Sequence, residues 1–131
     1  MRNIEQTYEI AAPISTVWRC LVDPGLIEEW GGGPAEMSDE IGADFRLWDG
    51  DIWGENIAVE APNLLKQEWY GGDWERPSIV TITLEEQDGG TLLTLHQTGV
   101  PEEEIPDIEG GWQIYYLGPL KEMAEDEQKK A

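Results

Sequence analysis

The residues in this chain that could do covalent or acid–base chemistry are few: one histidine, one cysteine and a scatter of carboxylates. A histidine base needs an orienting partner and a nucleophile within reach, and no such set surrounds His96. Alternation places His96 opposite Leu93 and Leu95, so it is expected on the outer surface of a sheet. Cys20 falls beside the Val17 and Leu21 stripe of a helix, where a free thiol behaves as a small hydrophobe. A reactive thiolate needs positive neighbours, and Arg19, adjacent in sequence, points elsewhere on a helix. One histidine and one cysteine do not make a zinc set. Asp49-Gly50-Asp51 is too short for a calcium loop, which spreads its ligands over about twelve residues, and reads as a turn. Gly31-Gly32-Gly33-Pro34 lacks the Lys-Ser/Thr of a phosphate loop and reads as a flexible link near the mouth of any cavity. No catalytic group, metal or cofactor is expected.

Two polar residues fall among apolar neighbours. Glu55 shares a strand face with Trp53 and Ile57, and Gln67 shares one with Leu65 and Trp69. A polar group on an inward face needs a partner or a ligand, unless it sits at a sheet end and reaches water. Glu55 is assigned the second reading. For Gln67, in mid-strand, both stand open.

These side chains must be positioned by a chain of 131 residues, a length that suits one domain spanning residues 1–131 and needs no disulfide or metal to fold. A lone cysteine and no signal-like or membrane-spanning apolar run fit a soluble protein of a reducing cytoplasm. Lys and Arg total 8 against 28 Asp and Glu, a formal net charge of −20. That sign opposes nucleic acid and anionic membranes. It is read either as plain solubility or as adaptation to a salty interior that screens self-repulsion. Seven Trp and four Tyr against one Phe favour aromatic rings with polar tips, suited to cavity walls and interfaces as well as to a core.

Asn3 to Ile10 alternate with period two and predict a strand. Ile14, Val17, Trp18 and Leu21 predict a short helix with Pro13 near its first turn. Asp23-Pro24 caps and starts a second, carrying Leu26, Ile27 and Trp30. From Ala35 to Thr98 short alternating runs are punctuated by Asp49-Gly50, Pro62-Asn63, Gly71-Gly72 and Asp88-Gly89-Gly90, which predicts consecutive antiparallel strands. Phe45 and Leu47 are placed opposite Arg46 and Trp48, while Trp53, Ile57 and Val59 share one face. Leu65, Gln67 and Trp69 form an inward row, followed by Val80, Ile82 and Leu84, then Leu93 and Leu95. Val100 to Glu109 is read as an acidic loop. A helix follows from about Gly110, with Trp112, Tyr116, Leu120 and Met123 along one stripe, and the polar tail from Glu125 to Ala131 is expected to fray. The expected fold is α+β: a curved antiparallel sheet covered by a long C-terminal helix, two short helices after the first strand, and room for a cavity between helix and sheet.

The order of elements resembles the START-like, helix-grip superfamily. Its opening signature is similar to Ile10-x-Ala12-Pro13-x-x-x-Val17-Trp18-x-x-Leu21, with Pro24 and Trp30 following. Within it, Gly111-Trp112-Gln113-Ile114-Tyr115-Tyr116, Asp49-Gly50-Asp51-Ile52-Trp53-Gly54-Glu55, Thr81-Ile82-Thr83-Leu84 and Gly99-x-Pro101 resemble the C-terminal domain of the heat-shock protein 90 ATPase activator family. The activators' additional N-terminal domain and its Asn-x-Trp-His-Trp motif find no counterpart here. The resemblance implies a helix-grip domain of stress-response type with a cavity for an apolar small molecule. Its expected walls are Trp53, Ile57, Gln67, Trp69, Ile82, Leu95, Trp112, Tyr116 and Leu120. An alternative partner is a heat-shock protein 90-type chaperone, and a second alternative is an enzyme of aromatase/cyclase type. Gly118-Pro119 departs from the family. An interior proline removes a hydrogen bond and costs about 3 kcal/mol, so a kink or break is expected near Leu117 to Pro119.

Overall fold

The computed structural model describes residues 3–72 and 74–130. Six strands form one antiparallel sheet in the order β1-β6-β5-β4-β3-β2. They are β1 (Ile4–Ile10), β2 (Asp44–Leu47), β3 (Ile52–Glu60), β4 (Leu64–Gly71), β5 (Ser78–Gln87) and β6 (Gly90–Thr98). Two short helices, α1 (Ile14–Val22) and α2 (Pro24–Trp30), follow β1. Asp23 caps α2, its carboxylate accepting from the N–H groups of Gly25 and Leu26, with Pro24 in the first turn, where its missing N–H costs nothing. Period two holds in β4 to β6: Leu65, Trp69, Val80, Ile82, Leu84, Leu93 and Leu95 are buried, as are Gln67 and Gln97. Each fully buried Leu or Ile stabilises the fold by roughly 1.5–3 kcal/mol.

β3 departs from the expected pattern. Its pairing with β4 slips between Asn56 and Ala58, and a bulge of this kind inverts which side chains face the core. Before the slip, Gly54 and Asn56 point inward while Trp53 and Glu55 point out. Trp53, at 38 % exposed, stacks on Tyr70 of β4 with centroids 5.9 Å apart and planes 9° apart. Gly54 is sterically dictated, because a Cβ there would lie 1.7 Å from the carbonyl oxygen of Glu68. Trp48 is likewise not outward. The turn after β2 takes positive φ at Trp48 and Asp49, which swings the indole back over the core.

The Gly31–Pro34 segment is tied rather than flexible. Gly31 closes α2 in the left-handed conformation, and the carbonyls of Gly32 and Pro34 accept from the N–H groups of Trp48 and Asp49.

The C-terminal helix begins earlier than expected. It comprises α3 (Ile105–Gly111), a π-helical stretch (Trp112–Leu117) and α4 (Gly118–Lys130), without a break. Pro106 lies in the first turn, where a helix tolerates it, so Ile105 to Glu109 are helix and not loop. Pro119 produces no break either. The π stretch widens the turn just before it, and Gly118 N–H bonds Gln113 O, five residues back. A Cβ on Gly118 would lie 2.1 Å from that oxygen, so glycine is what lets the turn form. The far end of the helix is docked: Glu125 Oε2 accepts from the N–H of Ala11 at 3.0 Å and from Lys121 Nζ at 2.8 Å. Nearer the start, Gln6 Nε2 of β1 donates to Glu109 O at 2.8 Å. Of the expected tail, Ala131 lies outside the described residues.

Candidate functional site

Between the sheet and the C-terminal helix lies a cluster of rings centred on Tyr116. Its centroid is 4.7 Å from Trp112, 4.8 Å from Trp30, 5.9 Å from Trp69 and 6.2 Å from Trp48. Trp69 of β4 and Trp112 of the helix stack at 4.8 Å. Four elements therefore supply the cluster: α2, the turn after β2, β4 and the π stretch.

The rings are held from behind by hydrogen bonds that use up the indole donors. Trp69 Nε1 donates to Gln67 Oε1 at 2.8 Å, and Gln67 Nε2 donates to Asn56 Oδ1 at 2.8 Å. Asn56 Nδ2 in turn reaches the carbonyls of Ser38 and Glu40. Trp112 Nε1 donates to Gln97 Oε1 at 2.7 Å, and Gln97 Nε2 to Ser78 Oγ at 2.8 Å. Trp48 Nε1 donates to Gly31 O and Trp30 Nε1 to Cys20 O, each at 2.9 Å. The buried amides thus orient indoles, and Gln67 has a partner inside the protein.

Beside this cluster opens a cavity of about 370 Å³, within the size range of small-molecule sites. Trp48, Ile52, Trp69, Trp112 and Tyr116 form its walls, and Ile108, Gly111, Tyr115 and Asp107 come from the helix. Apolar surface dominates. Tyr116 is the exception in kind: its hydroxyl is buried and has no hydrogen-bond partner. Burial also pushes its phenol well above the ordinary value of 10.0, so it stays neutral, a donor and an acceptor.

Of the nine expected wall residues, Trp69, Trp112 and Tyr116 line this cavity. Gln67, Ile82, Leu95 and Leu120 are fully buried in the core beneath it. Ile57 is the half-buried extra residue of the β3 bulge, and Trp53 is on the opposite face of the sheet. Trp48, Ile52, Asp107, Ile108, Gly111 and Tyr115 were not expected. The spacing of Ile105, Ile108 and Trp112, at three and seven residues, carried the signal for the helical ones.

His96 lies on the outer face, its Nε2 3.6 Å from Glu5 Oε1, and is not part of the cavity lining. Cys20 is buried, and burial first, then Glu127, pushes its thiol up to about 11. No group of three or more His, Cys, Asp or Glu able to hold a metal occurs among the described residues. No helix among them is long and apolar enough to cross a membrane.

This arrangement, a six-stranded antiparallel sheet with one long terminal helix whose Gly-Trp-Gln-x-Tyr-Tyr run buries Trp112 and Tyr116, has relatives. Residues 11–125 match the family described as activator of Hsp90 ATPase homolog 1-like protein. The chain belongs to this family. Among curated family relatives, activator of 90 kDa heat shock protein ATPase homolog 1 of Homo sapiens is 26% identical over 108 residues, 81% of this chain and 32% of that protein. An uncharacterized protein of Schizosaccharomyces pombe is 26% identical over 121 residues, 91% of this chain and 36% of that protein. The chain thus spans about a third of the length of the curated relatives it matches. Among solved structures, an HSP90 activator from Plasmodium falciparum superposes with a TM-score of 0.81 at 22% identity, covering 90% of this chain and 92% of that one. CalU16 from Micromonospora echinospora gives 0.77 at 28% identity, with 98% and 78% covered. These neighbours share the helix-grip fold.

Proposed function

We propose that this family member is a binding module whose indole-lined cavity takes a largely apolar, aromatic small molecule. The observation that carries this reading is the lining, in which Trp48, Trp69, Trp112, Tyr115 and Tyr116 supply five rings to one cavity. The neighbouring indole N–H groups are already bonded within the protein, so the walls offer ring surface and little else. Binding rather than catalysis fits the lining, which supplies no nucleophile paired with a base. Titration of the protein with an aromatic compound library, read by Trp fluorescence and by indole chemical shifts, tests it. Saturable shifts at Trp48, Trp69 and Trp112 are expected. A library that leaves these signals unmoved removes the reading.

A second reading, stimulation of a heat-shock protein 90-type ATPase, is supported by the names of the curated relatives. It is also supported by Ile114 and Tyr115, 64% and 63% exposed on the helix. Large exposed apolar side chains of this kind suit a protein contact. An ATPase rate unchanged at saturating protein, with no detectable binding, removes it.

A further inference from the structure

We propose that the ligand of this cavity is an organic cation, an apolar body bearing a tertiary or quaternary ammonium group. The inference rests on the binding reading above and names the charge of what binds. Five of the lining side chains are aromatic: Trp48, Trp69, Trp112, Tyr115 and Tyr116. The electron-rich faces of indole and phenol rings attract cations, most strongly where water is excluded. Asp107 is the charged residue of the lining, and no Lys, Arg or His is part of it. Asp107 is exposed in the first turn of α3, which puts a carboxylate at the edge of an otherwise apolar chamber. A carboxylate there repels an anionic ligand such as a fatty acid and attracts an ammonium head. The whole-molecule charge acts in the same sense: with a net charge of −20, the field raises the local concentration of cations and lowers that of anions. Because the indole N–H groups are turned to internal acceptors, they are not free to neutralise a carboxylate or phosphate.

Three probes with a common phenoxybutyl body distinguish the possibilities by calorimetry and Trp fluorescence. One ends in trimethylammonium, one in the uncharged tert-butyl isostere and one in carboxylate. The ammonium probe should bind at least as tightly as the isostere and roughly tenfold more tightly than the carboxylate, a ratio of the size that cation–π contact supplies. Asp107→Asn and Tyr115→Leu are exposed changes that leave the core intact. Each should weaken the ammonium probe roughly three- to tenfold more than it weakens the isostere. An isostere that binds clearly more tightly than the ammonium probe overturns the charge assignment while the binding reading stands. So does ammonium affinity indifferent to both substitutions. Failure of all three probes to bind sinks both.

Discussion

Replacing Tyr116 by Phe should make this protein more stable, although it removes a polar group from its centre. The hydroxyl has given up water and gained no bond, which costs the native state about 1–3 kcal/mol. Phe keeps the ring against Trp30, Trp69 and Trp112 and forfeits only the contacts of one oxygen. At ~0.1–0.2 kcal/mol per atom pair, that loss is on the order of 0.5–1 kcal/mol. The net gain is therefore about 0.5–2 kcal/mol, a rise in melting temperature of roughly 2–10 °C for a chain of this length. Urea unfolding followed by circular dichroism should show a higher midpoint with an unchanged slope. The alkaline limb supplies an independent check. Burial raises the Tyr116 phenol above its ordinary value of 10.0, so above that pH the unfolded chain loses this proton while the folded chain keeps it. The unfolded state then binds fewer protons, and stability falls as pH rises, by up to about 1.4 kcal/mol per unit. Tyr116→Phe should flatten this limb and leave neutral pH profiles parallel. A ligand-free Tyr116→Phe protein that is equally or less stable than the parent would refute the reasoning, because it would mean that the hydroxyl is already bonded.

Three further outcomes are expected. Gly118→Ala forces a methyl group against Gln113 O and should cost about 1–3 kcal/mol; it should also change the near-ultraviolet dichroism of the Trp69–Trp112 stack, and a parental spectrum and stability would show that the π turn does not depend on this glycine. Cys20, its thiol pushed up to about 11 by burial, should react with thiol reagents only as the protein unfolds; Cys20→Ala should remove a loss of stability between pH 9.0 and about 11, and fast labelling of the native protein would contradict its burial. Asp44, Glu55 and Glu68 stand opposite one another on adjacent strands, an arrangement that costs ~0.2–1 kcal/mol per like-charged pair; added salt should raise the melting temperature, and less so in Glu55→Gln, whereas a flat response would exclude charge repulsion as a burden on the fold.

The strands were legible because one face of the sheet is dry, so alternation in Leu65-Gln67-Trp69 and Leu93-Leu95 reports burial directly. Trp53 was misplaced because a single slipped residue pair near Ile57 inverts parity before it, and nothing in Ile52 to Glu60 announces a bulge. Trp48 was misplaced because its positive φ is a property of the turn, imposed by closure between β2 and β3 and by the carbonyls of Gly32 and Pro34. The start of the last helix was hidden by Pro106 and its acidic neighbours, which read as loop although proline in a first turn belongs to a helix. Asp107 and Ile108 were lost with it, and so was the rim of the cavity. The aromatic core of the site, Trp69, Trp112 and Tyr116, was visible because large rings on an inward row and on a helical stripe must meet when helix covers sheet. The orphaned hydroxyl could not be read: pairing of a single atom depends on packing that no spacing encodes.

The helix is fastened to β1 and the residue after it at two points, Glu109 O with Gln6 and Glu125 with Ala11. The two helix positions are some sixteen residues apart, roughly 24 Å along the axis. A lid hinged at one end could swing away from the sheet; a beam pinned at both ends cannot. In the binding reading proposed above, a guest would enter past the side chains at the rim of the cavity, Tyr115 among them. Residence time would be set by the grip of the rings on the guest rather than by any opening of the fold. Severing either pin, by Gln6→Ala or Glu125→Ala, should speed release without altering what is recognised.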